Sequence, residues 1–333
     1  MIRFGVIGTG WITESMIAGA MQYPELLQLT AVCSRTRERG EAFARLYGQD
    51  VAVFTDPAEM AMSDALDMVY IASPNSCHMA QSRLFLENGK HVLCEKPLSA
   101  DPDEVARVQR LAAERGLLFR EAIMMLYQPQ LSVLEDAIRQ CGHITTAHFQ
   151  FYQLSSKYEA LCRGETPNIF NPALHTGTLM DLGVYCVYPA LYFFGEPDTV
   201  AAGAHFLPTG ADGNGSALFT YPDKQVILSY SKIGQGYAPS EIVGDAGTVT
   251  IGSISKLNDI RLHLYGQPER VLWGETEKAE LMGHEIAAFA RDIEAGETMG
   301  GAADTLALAV SRRLAEIRRC AGIVFPGENE VRK

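Results

Sequence analysis

Several short segments of this 333-residue chain carry side chains whose types and spacing suit chemistry. The first is Gly8-Thr9-Gly10-Trp11-Ile12-Thr13, directly after the apolar run Ile2 to Ile7. A glycine at position 8 permits a tight turn, and one at position 10 lets backbone approach a pyrophosphate, which then rests on the amides of a helix N-terminus. Thr13 stands where such patterns usually have a third glycine, and its β-branched side chain is expected to push the helix slightly off the strand. The second segment is Val32-Cys33-Ser34-Arg35-Thr36-Arg37. A dinucleotide site selective for an unphosphorylated ribose carries Asp or Glu there. Here the hydroxyl of Ser34 and the guanidinium groups of Arg35 and Arg37 are donors that suit a phosphate dianion, so NADP is favoured and NAD is the alternative. The bland reading makes Arg35 and Arg37 part of a solvated helix start. The third and fourth segments, Ala72-Ser73-Pro74-Asn75-Ser76-Cys77-His78 and Cys94-Glu95-Lys96-Pro97, end two further strand-like runs. Ligands of open α/β sheets sit beyond the carboxyl ends of strands, which places Asn75 and Lys96 to reach a nicotinamide ribose. His78 either touches the nicotinamide carboxamide or satisfies a local backbone group. A cis or otherwise fixed Lys96-Pro97 bond would hold the lysine rigidly.

The elements that must position these residues form a regular alternation. Strand candidates at Ile2 to Ile7, Leu29 to Cys33, Ala52 to Thr55, Met68 to Ala72, His91 to Glu95 and Leu117 to Ala122 are separated by helical stretches. This predicts an α/β, doubly wound parallel Rossmann sheet over residues 1–122. Residues 123–333 begin with a helix at Gln130 to Gln140. They continue in alternating segments such as Ile144 to Leu154, Ser216 to Tyr221, Gln225 to Tyr230 and Thr248 to Ile251, and close with helices at Gly283 to Ala295 and Ala302 to Ala321. They predict an α+β domain with a large, mostly antiparallel open sheet of about six strands. An open sheet face of apolar residues would otherwise stay exposed, so a homodimer or homotetramer through this sheet is expected.

Composition excludes other classes. Forty acidic against 28 basic residues give a net charge of −12, without the basic stripe that nucleic acid binding needs. No apolar run is long enough to span a bilayer and no signal-peptide core follows Met1, so a cytoplasmic protein is expected. The seven scattered cysteines read as reduced thiols, mostly buried. His148, His175 and Asp181 lack the spacing of a zinc site, and no metal is expected.

The glycine motif, Glu95-Lys96-Pro97 and the later Gly177-Thr178-Leu179-Met180-Asp181-Leu182-Gly183-Val184-Tyr185 together resemble the Gfo/Idh/MocA oxidoreductase family across nearly the whole chain. Glu121-Ala122, Gly244 to Thr248 and the helix through Ser311 to Gly322 sit where the family has similar segments. The resemblance implies that Lys96 and the Asp181 to Tyr185 segment line a catalytic cleft, with Tyr185 where the family usually has histidine. The tyrosine form is similar to the branch containing dimeric dihydrodiol dehydrogenases and NADP-dependent pentose dehydrogenases. Thr13, His175-Thr176-Gly177 and Leu126 depart from the family pattern, the last two in the substrate pocket.

The chemistry calls for these residue types independently. Oxidising a secondary alcohol or lactol needs hydride transfer to nicotinamide, which the cofactor provides, and a base for the hydroxyl proton. Tyrosine, with a pKa of about 10, is a poor base until a nearby cationic lysine lowers that value. Lys96 and Tyr185 make such a pair. Asp181, one helical turn before Tyr185, is placed to orient the substrate or hold Lys96. The rival reading packs Leu182, Tyr185 and Tyr188 into a core. Tyr152, Tyr158 and Phe170 are candidates for a sugar or arene platform. The sequence thus predicts a dehydrogenase of small sugars, polyols or cyclic diols; alternatives are a sugar-sugar oxidoreductase with tightly held NADP and a non-catalytic NADP-binding sensor.

Overall fold

The computed structural model describes residues 1–48 and 50–328. Its first stretch alternates β1 (Ile2–Ile7), α1 (Trp11–Ala20), β2 (Leu27–Cys33), α2 (Arg37–Ala44), β3 (Ala52–Phe54), α3 (Pro57–Met62), β4 (Met68–Ile71), α4 (His78–Glu87), β5 (His91–Glu95), α5 (Pro102–Arg115) and β6 (Phe119–Ala122). These strands form one parallel sheet in the order β3-β2-β1-β4-β5-β6. All six strands expected from the sequence are present. Met68, Val69, Tyr70 and Ile71 are fully buried, as a strand covered on both faces must be, which is why β4 reads as a continuous apolar run. Asp56 and Asp101 cap α3 and α5 by accepting the amides of Ala58 and Asp103, with proline in the first turn of each helix. Gly116, left-handed at φ +66°, ends α5.

There follow α6 (Gln130–Gln140), β7 (Ile144–Tyr152), α7 (Tyr158–Cys162), α8 (Val184–Phe194), β8 (Thr199–Phe206), β9 (Asp212–Thr220), β10 (Gln225–Ser231), β11 (Ser240–Gly244), β12 (Gly247–Ser253), β13 (Asn258–Leu264), β14 (Arg270–Trp273), α9 (Lys278–Glu294) and α10 (Ala302–Ala321). Strands β7 to β14 build an eight-stranded sheet in the order β14-β13-β12-β11-β7-β10-β9-β8. It is antiparallel except for the parallel β7–β10 pair. The sheet has eight strands against the six expected, and β9 begins earlier than expected. Gly215 reads as turn but lies within β9, where a Cβ would meet the Tyr230 ring at 2.7 Å. One face buries Phe149, Phe219, Leu228 and Tyr230. The alternate positions hold Thr146, His148, Gln150, Ser216 and Ser229 beside Leu218 and Ile227. The outer face is therefore mostly polar, and the apolar face expected from the sequence is not there.

The described residues divide into two compact units, Met1–Gln128 with Glu277–Leu308, and Pro129–Thr276 with the residues from Ala309 on. A cut after Ala122 misses the α9 segment, because the apolar stripe of that helix is buried in the first unit. Leu281, Met282, Ile286 and Phe289 share a core with Met16, Ile17 and Ala20 of α1. The two helices touch backbone to backbone. A Cβ on Gly19 would lie 2.5 Å from the Gly283 nitrogen and 2.6 Å from the Ala279 oxygen. Neither atom can move without moving a helix. Gly19→Ala is expected to destabilise the protein by about 1–3 kcal/mol, as overpacking does, measured as a lowered urea midpoint; an unchanged midpoint would show that the helices separate freely.

Candidate active site

In the parallel sheet, β1 has β2 on one side and β4 on the other, so the chain leaves this point in opposite directions and a crevice opens beyond the strands' carboxyl ends. The segments singled out in the first unit all lie at this edge: Gly8 to Ile12 after β1, Ser34 and Arg35 after β2, Ala72 to Asn75 after β4, and Glu95 and Lys96 at the end of β5. Gly8 has φ +102°, and a Cβ there would lie 2.7 Å from the Ala72 carbonyl oxygen. Its amide donates to Cys33 O at 3.1 Å, and the Ala72 amide donates to Ile7 O at 2.9 Å.

Gly10 precedes α1, with no atom within 4 Å of where its Cβ would be and no side chain capping the helix. This open, uncapped N-terminus fits a pyrophosphate. Ile12 packs on the core and Thr13 is fully buried. Trp11 is exposed, with the Lys278 ammonium 4.0 Å above its ring. Ser34 is buried and its amide donates to Phe54 O, while Arg35 is exposed. The sequence reading missed Arg39. Its guanidinium donates from Nε to Thr9 Oγ1 at 2.7 Å and from Nη2 to Thr9 O at 3.2 Å, tying α2 to the glycine loop.

Beyond β4, Ser73 Oγ donates to Gln81 at 2.6 Å, and Pro74 leads into a 3-10 turn over Asn75–Cys77. His78 lies underneath, 1% exposed, with Nδ1 3.0 Å from Pro97 O and Nε2 2.9 Å from Ser73 O. Both ring nitrogens meet backbone carbonyls, so His78 ties the β4 loop to the β5 loop and does not serve a nicotinamide carboxamide. Burial holds its pKa below the ordinary histidine value, against the pull of those carbonyls. The Lys96-Pro97 bond is cis. Glu95 accepts from Tyr70 Oη at 2.5 Å and from the Lys96 amide at 3.2 Å, and Glu121 accepts from the Leu98 amide at 3.2 Å. Burial raises the pKa of Glu95, opposed first by the Lys96 charge.

In the second unit, residues Leu179–Gly183 form a π-turn that runs into α8. Asp181 sits in that turn and is ion-paired with Lys232. Lys232 was not anticipated from the sequence. Tyr185 is partly exposed on α8, its ring edge-on to Phe151 with centroids 5.7 Å apart. Tyr188 is core. So is Phe170, packed with Leu161 and Ala211, which removes it as a sugar platform, whereas Tyr152 and Tyr158 keep partial exposure.

Residues 2–122 match the oxidoreductase family with an NAD-binding Rossmann fold, Gfo/Idh/MocA, and residues 137–250 match the Gfo/Idh/MocA C-terminal domain. The chain is 36% identical over 331 residues to the scyllo-inositol 2-dehydrogenase (NADP(+)) IolU of Bacillus subtilis, covering 98% of this chain and 99% of that one. The chain belongs to the Gfo/Idh/MocA family. Another relative, a D-xylose 1-dehydrogenase (NADP(+)) of Haloferax volcanii, is 29% identical over 89% of this chain and 90% of its own. Among solved structures, KijD10, a 3-ketoreductase from Actinomadura kijaniata in complex with NADP and TDP-benzene, matches with a TM-score of 0.85 at 25% identity, over 96% of this chain and 98% of that one. This member of the family is a nicotinamide-dependent oxidoreductase whose first unit is its Rossmann domain.

Close to Glu95 in the same unit lies Glu285, 1% exposed, with Oε1 lacking a hydrogen-bond partner among the described residues. Burial first, and then the Glu95 charge, push its pKa well above the ordinary carboxylate value, with Lys278 opposing. A carboxyl whose folded pKa exceeds its unfolded one stabilises below the unfolded pKa, and that stability is lost as pH rises through the folded one. Glu285→Gln, neutral throughout, is expected to flatten this decline and to be neutral or stabilising at pH 8, measured by urea unfolding at pH 5 and 8. A variant less stable at pH 8 than the parent would refute the burial argument.

Proposed function

We propose that the protein is an NADP-preferring dehydrogenase or reductase acting on a secondary alcohol or lactol of a small sugar, polyol or cyclic diol. The observation that carries the cofactor preference is Arg39 anchored on the glycine loop, beside Ser34 and Arg35 and with no acidic residue at the end of β2. Three donors of this kind favour a ribose 2'-phosphate. Relatives named as NADP(+)-dependent dehydrogenases of scyllo-inositol and D-xylose, and a solved 3-ketoreductase in complex with NADP, support the substrate class.

The bound cofactor supplies or accepts the hydride at its nicotinamide ring. The protein does the rest. Gly8 to Ile12 would cradle the pyrophosphate, Ser34, Arg35 and Arg39 would hold the phosphate on the adenosine ribose, and Ala72 to Asn75 would lie toward the nicotinamide ribose. In this proposal Tyr185 is the group that takes the proton of the substrate hydroxyl, and Lys96 is the cation whose charge would favour its phenolate form. Asp181, charge-compensated by Lys232, orients the substrate and is not the base. Retention of both Lys96 and Tyr185 speaks against the silent sensor, which has no need of a proton-transfer pair. Copurified NADP would support the sugar-sugar oxidoreductase with held cofactor. The cysteines are free, four of them buried, which suits a cytoplasmic setting. A homodimer or homotetramer through the outer face of the second sheet would bury Leu218 and Ile227.

The test is a fluorescence titration with NADPH and NADH, followed by a screen of inositols, pentoses and cyclic diols at the nicotinamide absorbance. NADPH is expected to bind at least about tenfold tighter than NADH, with Arg39→Ala removing most of that difference. Tyr185→Phe is expected to cut turnover about 10²–10⁴-fold without weakening NADPH binding. Equal affinity for both cofactors would end the NADP preference, and full activity in Tyr185→Phe would end the assignment of the base.

A further inference from the structure

Tyr185 and Asp181 depend on an irregular stretch of helix. In the π-turn Leu179–Gly183 hydrogen bonds reach five residues, a geometry that is rare and occurs mostly as single turns, often at functional sites. Side chains from two neighbouring strands brace it. Asp212, the first residue of β9, is fully buried. Its Oδ2 accepts the Leu179 amide at 2.7 Å, and its main-chain oxygen accepts the Thr178 hydroxyl at 2.8 Å. Gly177, at φ +154°, makes room for this carboxylate: a Cβ there would lie 1.9 Å from Asp212 Oδ1.

Lys232, directly after β10, braces the turn from the other side. It is 8% exposed; its ammonium is paired with Asp181, and its amide donates to Gly213 O at 3.0 Å. The residue after Asp212 thus binds the residue that holds Asp181. The starts and ends of β9 and β10, the π-turn and Gly177 form a closed ring of contacts at the root of α8. A buried carboxylate is costly where a packed apolar residue would do, so its presence calls for a task. Burial raises the Asp212 pKa to about 6, against the backbone amides of Leu179, Asp212 itself and Thr178 and the Arg318 charge.

We propose that Asp212 and Lys232 are positioning residues of the reaction, fixing the π-turn so that Asp181 and Tyr185 present their polar atoms in one arrangement. The inference rests on Tyr185 being the proton-transfer group. It also names a signature absent from the β1 to β5 motifs: an acid at the start of β9 matched to a glycine two residues before the turn, and a lysine directly after β10.

Asp212→Ala, Asp212→Asn, Lys232→Met and Lys232→Arg are compared with wild type and Tyr185→Phe in NADPH titration, steady-state kinetics and amide hydrogen exchange of residues 178–185. Loss of turnover in Tyr185→Phe confirms the underlying assignment; an active Tyr185→Phe defeats that assignment alone and leaves the exchange measurement to decide the bracing. The Ala and Met variants are expected to lose about ten- to a hundredfold in kcat, with KM and NADPH affinity within about threefold, since misplacement by a fraction of an ångström slows the step more than it weakens binding. Exchange of 178–185 is expected to speed in Asp212→Ala and Lys232→Met. Asp212→Asn and Lys232→Arg should recover most of the rate and the protection. The proposal is overturned if the Ala and Met variants keep kcat and protection, or if the Asn and Arg variants are equally impaired. Should Asp212→Ala fail to fold, Gly177→Ala presses on the same carboxylate without removing it, and unchanged kcat and exchange there would also overturn the proposal.

Discussion

The first unit is organised by a place where no side chain fits. At Gly8 the end of β1 passes so close to Ala72 that a Cβ would collide with a carbonyl, while the amides of Gly8 and Ala72 close the sheet to its last residue on both sides. This close approach sends the chain into α1 with its first amides uncapped, and it leaves β2 and β4 to diverge around the crevice. Each first-unit segment singled out from the sequence is then brought to that edge by the parallel order of the sheet. The roles proposed for positions 9–12, 34–39, 72–75 and 95–96 depend on the geometry at position 8.

Around that edge the protein manages charge in two different ways. At the glycine loop Arg35 and Arg39 are exposed and the α1 N-terminus has no side-chain cap among the described residues, an arrangement that would favour an anion arriving from solvent. Behind Lys96, by contrast, Glu95 and Glu285 are buried near one another, and burial biases both toward the protonated form against the cations Lys96 and Lys278. In the second unit Asp181 has its own counter-ion in Lys232.

Much of this was legible in the sequence, for local reasons. Strands covered on both faces give unbroken apolar runs, and Asp56-Pro57 and Asp101-Pro102 announce helix starts one residue at a time. The glycine loop and the Glu95-Lys96-Pro97 ending were readable because their residues are contiguous. What escaped was settled by contacts across the chain. Arg35, Arg37 and Arg39 are equivalent as a string, and only the path of α2 past the glycine loop selects Arg39 to reach Thr9. Lys232 lies 51 residues beyond Asp181 and nothing local marks it. His78 is open in the sequence between a ligand contact and a local backbone partner, and only the fold brings the carbonyls of both Ser73 and Pro97 to its ring. The outer face of the second sheet misled because the buried alternate positions dominate the pattern, and the polar residues between them carry the surface.

The return of α9 to the first unit has a consequence for the order in which the protein can be made. A ribosome that has released β6 has delivered the whole parallel sheet, yet the side of α1 that packs on Leu281 to Ala290 stays uncovered until those residues emerge, after residues 129–276 of the second unit have been synthesised. The first unit is encoded first but closed only by a segment that follows most of the second. Its sheet spends most of translation with one helix face bare, a period in which an apolar surface favours a holding chaperone.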